Sequence, residues 1–176
     1  IKSLLEQGGE DRLNESFKLL QKEDTNSPST KLLQILYFLR SNQPDRCVGL
    51  LADLEQETAI TNKAQLVVLK AEYLDKTDQH EETVRLLDQA CEEYREDVDV
   101  ILCAARIFFG IPEQLSKSVL LLLNAIKINQ DIAEPFILLG YFYASNEQRQ
   151  NPSNLQRAIR CLEKAFQLDP HQTKPS

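Results

Sequence analysis

Apolar residues in this chain recur at i, i+3, i+4 and i+7, the helical period, and almost nowhere at the alternating spacing of a half-buried strand. The blocks LNESFKLL, LLQILYFL, CVGLLADL, AQLVVLKAEYL, TVRLLDQACEEY, VDVILCAARIFF, SVLLLLNAIKI, FILLGYFY and LQRAIRCLEKAFQL are each about one helix long. Short polar breaks separate them, among them Ser27-Pro28, Asn42-Gln43-Pro44, Ile111-Pro112 and Asn151-Pro152. Proline in such a place opens a helix, because the first helical N–H needs no partner. Asp131-Ile132-Ala133-Glu134 reads as a capping box. The chain is therefore expected to be all-α, built from antiparallel helix pairs with short connections.

The pairs repeat. In the last one, Phe136, Leu139, Gly140 and Tyr143 lie on the first helix, and Ala158, Leu162, Ala165 and Pro170 on or after the second. Stepping back from Ala165 reaches Ala125, Ala90 and Glu55, at intervals of 40, 35 and 35 residues. The residue seven positions earlier follows as Ala158, Ser118, Thr83 and Val48, with Ser16 as a fifth. Between them stand Leu162, Leu122 and Leu87, and Ala52 in the remaining unit. The longer interval places extra residues in the turn NEQRQNPSN. Gly140 interrupts an apolar run, although glycine costs a helix about 1 kcal/mol relative to alanine. Its position, shared with Ala105 and Ala71, accounts for it: small residues let two helices approach, with Ala158 and Ala165 as counterparts.

The order large, Leu, Gly, Tyr, then Ala, large, Ala, Pro resembles the tetratricopeptide repeat, W-x2-L-G-x2-Y…A-x3-F…P. That resemblance implies an α-α superhelix of about four to five hairpins. It gives one array over residues 1–170, in units of about 1–28, 29–58, 62–96, 97–130 and 131–170, and a tail at 171–176.

Composition narrows the function. The chain has 27 Asp and Glu against 20 Lys and Arg, with no basic stripe of the kind that grips phosphates. No direct contact with nucleic acid is expected. No apolar run approaches the ~20 residues that span a bilayer, so no membrane partner is expected either. Ile1-Lys2-Ser3-Leu4-Leu5-Glu6 becomes charged too early for a signal peptide. With no methionine anywhere, the chain reads as an excised segment with flanking repeats of the same protein beside it. Cys47, Cys91, Cys103 and Cys161 form no C-x-x-C pair, which suits a reducing compartment, cytoplasmic or nuclear.

Catalytic signals are missing. His80 and His171 have no second ligand at metal-binding spacing, and no nucleophile elbow, zinc-helix, P-loop or dinucleotide motif occurs. Glu81-Glu82 and Glu92-Glu93 read as solvated faces. No enzyme, cofactor or metal is expected. A metal or a deep polar pocket would revive a helical enzyme.

Recognition remains. In tetratricopeptide arrays the first helices line a concave groove, and the resemblance carries this role to Leu33, Tyr37 and Arg40, then Val68, Glu72 and Asp75. It continues to Leu102, Arg106 and Phe109, then Ile137 and Tyr141. Tyr37, Arg106 and Tyr141 are expected to be exposed. Protein partners, as a peptide or a folded domain, would dock there, and aromatic and arginine side chains contribute disproportionately to such contacts. The clamp by which chaperone-binding members hold a C-terminal carboxylate uses Lys and Asn. Its positions here hold Leu33, Val68, Leu102 and Ile137, then Tyr37, Glu72, Arg106 and Tyr141, which disfavours that use.

Residues 67–169, with L-G-x-x-Y upstream of an elongated turn and a K-A-x-x-L-D ending, are similar to the tetratricopeptide scaffold subunits of superkiller complexes. That likeness implies a role in holding an RNA helicase and a WD-repeat subunit together, so that cytoplasmic mRNA reaches the exosome. The alternative is a stand-alone adaptor capturing one linear peptide, as import receptors and co-chaperones do. Such an adaptor needs a polar capping helix. The chain shows none after Pro170, and both ends look cut, which favours the scaffold.

Overall fold

The computed structural model describes residues 9–24, 26–57, 62–145, 148 and 150–170. The helices among them are α1 (Glu10–Leu20), α2 (Pro28–Arg40), α3 (Cys47–Gln56), α4 (Lys63–Lys76), α5 (His80–Glu93), α6 (Val98–Phe109), α7 (Leu115–Ile128), α8 (Ala133–Ala144) and α9 (Pro152–Leu168). No strand occurs among the described residues, and the all-α expectation holds. The chain divides into two compact units, residues 1–90 and 91–176. The start of the first sequence repeat, residues 1–8, and the tail at 171–176 lie outside the described residues.

The breaks act as their residue types dictate. Pro28 and Pro152 take the first positions of α2 and α9. Pro44 and Pro112 instead open short 3-10 turns that lead into α3 and α7. Side-chain caps come from Asn62, Asp97 and Asn151, whose oxygens accept from backbone N–H groups of the first helical turn. The expected capping box does not form. Helix α8 starts at Ala133, the Asp131 N–H donates to Asn129 Oδ1, and the Glu134 carboxylate turns to Arg106. The guanidinium gives the carboxylate two charge-assisted bonds at once, where the backbone amide of a capping box gives one.

In the first unit, α2 and α4 close with the same motif. Asn42 and Asp78 adopt left-handed backbone, at φ 56 and 58. The Gln43 N–H donates to Phe38 O at 2.8 Å, and the Gln79 N–H to Leu74 O at 3.0 Å. Asn42 N–H and Asp78 N–H donate to Leu39 O and Asp75 O. This is the Schellman arrangement, with Asn and Asp standing where glycine is commoner. Ser41 and Thr77 hydroxyls donate back to Tyr37 O and Tyr73 O. The heptapeptides YFLRSNQ and YLDKTDQ thus build one cap twice, 36 residues apart.

That interval corrects the sequence alignment of the α2–α3 pair by one residue. Val48 is 52% exposed, whereas Cys47, Leu51 and Leu54 are buried. The places held by Thr83, Leu87 and Ala90 on α5 therefore fall to Cys47, Leu51 and Leu54, and not to Val48, Ala52 and Glu55. Ile35, fully buried on α2, stands where Ala71 stands on α4. Leu32, Ile35, Leu36, Leu39, Cys47, Leu51, Leu54 and Leu69 make one core across α2, α3 and α4.

In the second unit, Ala105 and Leu122 meet Leu139 at the centre of a cluster joining α6, α7 and α8. The fully buried Ser118 hydroxyl donates to Ala105 O at 2.6 Å, tying α7 to α6. Gly140 is buried where α8 meets α9. A Cβ there would lie 2.8 Å from Leu162 Cγ and Cδ2, and 3.5 Å from Ala158 O. The close approach expected from sequence is present, with Leu162 as the main neighbour. Of the elongated turn, Gln148 is tied down: Asn154 Nδ2 donates to its backbone O and to its Oε1.

Candidate partner-binding site

The first unit presents an aromatic cleft. Ser16 and Leu20 face inward from α1, which leaves Phe17 one residue round the helix and 36% exposed. Phe17 stacks on Tyr37 of α2, with ring centroids 5.1 Å apart and planes 25° apart. Tyr37 meets Phe38 edge-on at 5.4 Å, and the Arg46 guanidinium lies 4.4 Å above the Phe38 ring. Phe17, Leu20 and Gln21 from α1 and its end, with Gln34, Tyr37 and Phe38 from α2, enclose a cleft of about 210 Å³. The side-chain amides of Gln21 and Gln34 have no partner among the described residues. The cleft is apolar on its walls and offers two amide groups able to donate and accept.

Charges on neighbouring first helices pair with each other. Arg40 Nη1 on α2 donates to Glu72 Oε2 on α4 at 2.9 Å. In the second unit, Arg106 on α6 forms a two-point contact with Glu134 on α8, at 2.6 and 3.2 Å. Both arginines named from sequence are therefore neutralised within their own unit by a glutamate on the next first helix.

The other named residues are distributed as follows. Leu33 and Tyr37 are half-buried and pack beside the α2–α3–α4 core. Their structural equivalents on α4 are Leu69 and Tyr73, by the shared cap, so Glu72 lies level with Leu36. Val68 and Asp75 are half-buried on α4. Burial holds the Asp75 carboxyl above the usual range, partly opposed by His80 and Lys76. Leu102 is buried with Ile101 and Ala125, beside Val98, Leu121 and Ile132. Phe109 packs against the Ala105–Leu122–Leu139 cluster, and Ile137 is half-buried. Tyr141 is 59% exposed, two turns along α8 from Glu134 and on the same face. Phe17, Gln21 and Gln34 were missed in the sequence. Phe17 falls on a second helix, outside the positions that a first-helix groove would use.

Reactive chemistry is sparse. Cys47 and Cys103 are buried, and all four cysteines are free thiols. Burial pushes the Cys47 thiol up to about 11 and raises that of Cys161, which is the opposite of nucleophile activation. Among the described residues, no three His, Cys, Asp or Glu side chains converge to hold a metal ion. No described helix is long and apolar enough to cross a membrane.

Comparison with known proteins gives the fold. No protein-family model matches the chain, and no curated protein matches it in sequence. Among solved structures, the crystal structure of MamA is similar at a TM-score of 0.62 and 15% identity, over 93% of this chain and 90% of that one. YrrB, described as a TPR protein with an unusual peptide-binding site, is similar at a TM-score of 0.60 and 17% identity. That match covers 93% of this chain and 80% of YrrB. The fold is thus a tetratricopeptide-like α-solenoid.

Proposed function

We propose that this chain is a non-catalytic interaction module that binds an extended segment of a partner protein. The observation that carries this reading is the α1–α2 cleft, whose aromatic walls and unpartnered glutamine amides suit one apolar side chain and the adjacent peptide backbone. Arg40, the first-helix arginine of this unit, is taken up by Glu72 and is not offered to a terminal carboxylate, so anchoring by an apolar or aromatic residue is favoured. The fold shared with a protein described as having a peptide-binding site agrees with this.

A peptide library displayed on phage and panned against the chain tests it. Enriched peptides should share one large apolar residue, and Gln34→Lys, which fills the cleft from a half-exposed position, should lower their affinity about tenfold or more. Peptides that bind the variant equally well would rule out the cleft. The finer reading follows from the likeness over residues 67–169: a cytoplasmic superkiller scaffold in mRNA decay. Purifying the full-length parent and recovering an RNA helicase with a WD-repeat protein would support it, and recovering neither would remove it.

A further inference from the structure

The outer faces of α7 and α9 carry charge opposite to that of the chain. Val119, Leu122 and Ile126 of α7 and Cys161 of α9 meet in one cluster with Leu138, Leu139 and Tyr143 of α8. The two second helices therefore lie side by side on α8. Ser118, Leu122 and Ala125 turn inward on α7, as do Ala158 and Ala165 on α9. By the helical period, the outward side of α7 holds Lys117, Leu120, Leu123 and Lys127, all exposed. That of α9 holds Arg157, Arg160, Glu163 and Lys164, also exposed.

Five cations thus stand beside one carboxylate, in a chain whose net charge is -7. They are scattered in sequence and gathered only by the fold. Lys127, Arg160 and Lys164 have no ion-pair partner among the described residues. The Arg157 guanidinium lies 5.8 Å from the Tyr143 ring centroid, so this cation stands over the shared cluster. Among these charges, Leu120 is 68% exposed and Leu123 41%. Neither awaits the next hairpin, because α8 and α9 are already in place and leave both open. The same places on the other second helices hold Arg85 and Asp88 on α5, and Arg160 and Glu163 on α9. The repeat itself therefore does not call for leucine there.

We propose that this face binds an acidic amphipathic helix of a partner protein. Its apolar side covers Leu120 and Leu123, and its carboxylates meet Lys127, Arg160 and Lys164. A helix fits better than an extended segment. The face lies within two helices and offers no free backbone groups, whereas a helix arrives with its own hydrogen bonds made. A phosphate backbone would match the cations and leave the leucines against charge. An anionic bilayer would meet the repulsion of the chain's net charge.

Fluorescence anisotropy of the whole chain tests this, with a labelled helical peptide of about 18 residues. The peptide carries leucines at i, i+3, i+4 and i+7 and glutamates on both flanks. It should bind with a dissociation constant of about 10–100 µM, and its counterpart with lysine for every glutamate about tenfold more weakly or worse. Leu120→Glu should abolish binding, and Lys127→Glu with Arg160→Glu should lower it about tenfold. Both variants should keep the circular dichroism spectrum, because the sites are exposed. Gln34→Lys should leave the affinity unchanged, and a loss there would place the peptide in the α1–α2 cleft and overturn the proposal. Failure of the glutamate peptide to bind, equal binding of the two peptides, or undiminished binding by Leu120→Glu also overturns it. So does binding to phosphatidylserine vesicles or single-stranded RNA that the double charge reversal removes, since the cations would then serve a lipid or a phosphate backbone.

Discussion

A methyl group on Gly140 would stand 2.8 Å from both Cγ and Cδ2 of Leu162, so the α8–α9 hairpin closes on a missing side chain. Helix propensity alone favours Gly140→Ala by about 1 kcal/mol. Overpacking a filled contact costs about 1–3 kcal/mol, and both near atoms belong to one leucine that must turn away. Gly140→Ala should therefore lower the melting temperature. In a Leu162→Ala background the same change should be neutral or stabilising, because the obstructing atoms are gone. An equal loss in both backgrounds would place the strain elsewhere.

The Ser118 hydroxyl spans two helices and is fully buried. Ser118→Ala removes the donor and strands the Ala105 carbonyl's extra contact, at a cost of about 1–2 kcal/mol. Ser16 and Thr83 are buried to the same degree, but donate within a turn of their own helix, to Leu13 O and Gln79 O. Alanine at either should cost less than at Ser118. Chemical denaturation of the three variants gives the ranking.

The two arginine–glutamate pairs differ in burial. Arg106 and Glu134 are 45% and 31% exposed, where such pairs contribute about 0–1 kcal/mol. Arg40 and Glu72 are 30% and 11% exposed. Arg106→Ala should change stability by less than about 1 kcal/mol, and the change should fade in high salt. Arg40→Ala removes a cation from a more deeply set carboxylate, and should cost more and respond less to salt. Melts at low and high ionic strength compare them.

Cys47 ionises at about 11 in the folded chain against 9.0 for the free side chain, because burial penalises the thiolate. The folded value is raised, so the contribution is present below pH 9 and is lost as pH climbs towards 11. The loss amounts to roughly 2–3 kcal/mol. Cys47→Ala should flatten the stability curve over that interval. In the native chain at neutral pH, Cys47 should react with a thiol reagent only as fast as the protein unfolds.

Much of the fold was legible because apolar period and proline position are local properties. Each block fell on a helix, and Gly140 signalled its own close approach. The misplaced second repeat has a physical cause. Alignment by small residues assumed that one helix supplies the small partner at the same place each time. Here the first-helix place is filled by the large, fully buried Ile35, and the buried second-helix place falls to Cys47 and not to the exposed Val48, so an alignment anchored on small residues slips by one. YFLRSNQ and YLDKTDQ carried the true interval in their cap residues. The capping box failed for a different reason: Glu134 has a distant partner, Arg106, which no local motif can reveal. The cleft was half legible. Tyr37 could be named from the first-helix pattern, but Phe17 enters from the preceding second helix, and only packing brings the two rings together.

The doubled cap after α2 and α4 fastens its chain reversal with backbone groups no more than five residues apart. The direction in which the chain turns back is therefore written into each short stretch itself, while the permanence of the turn waits on the helices that later pack across it.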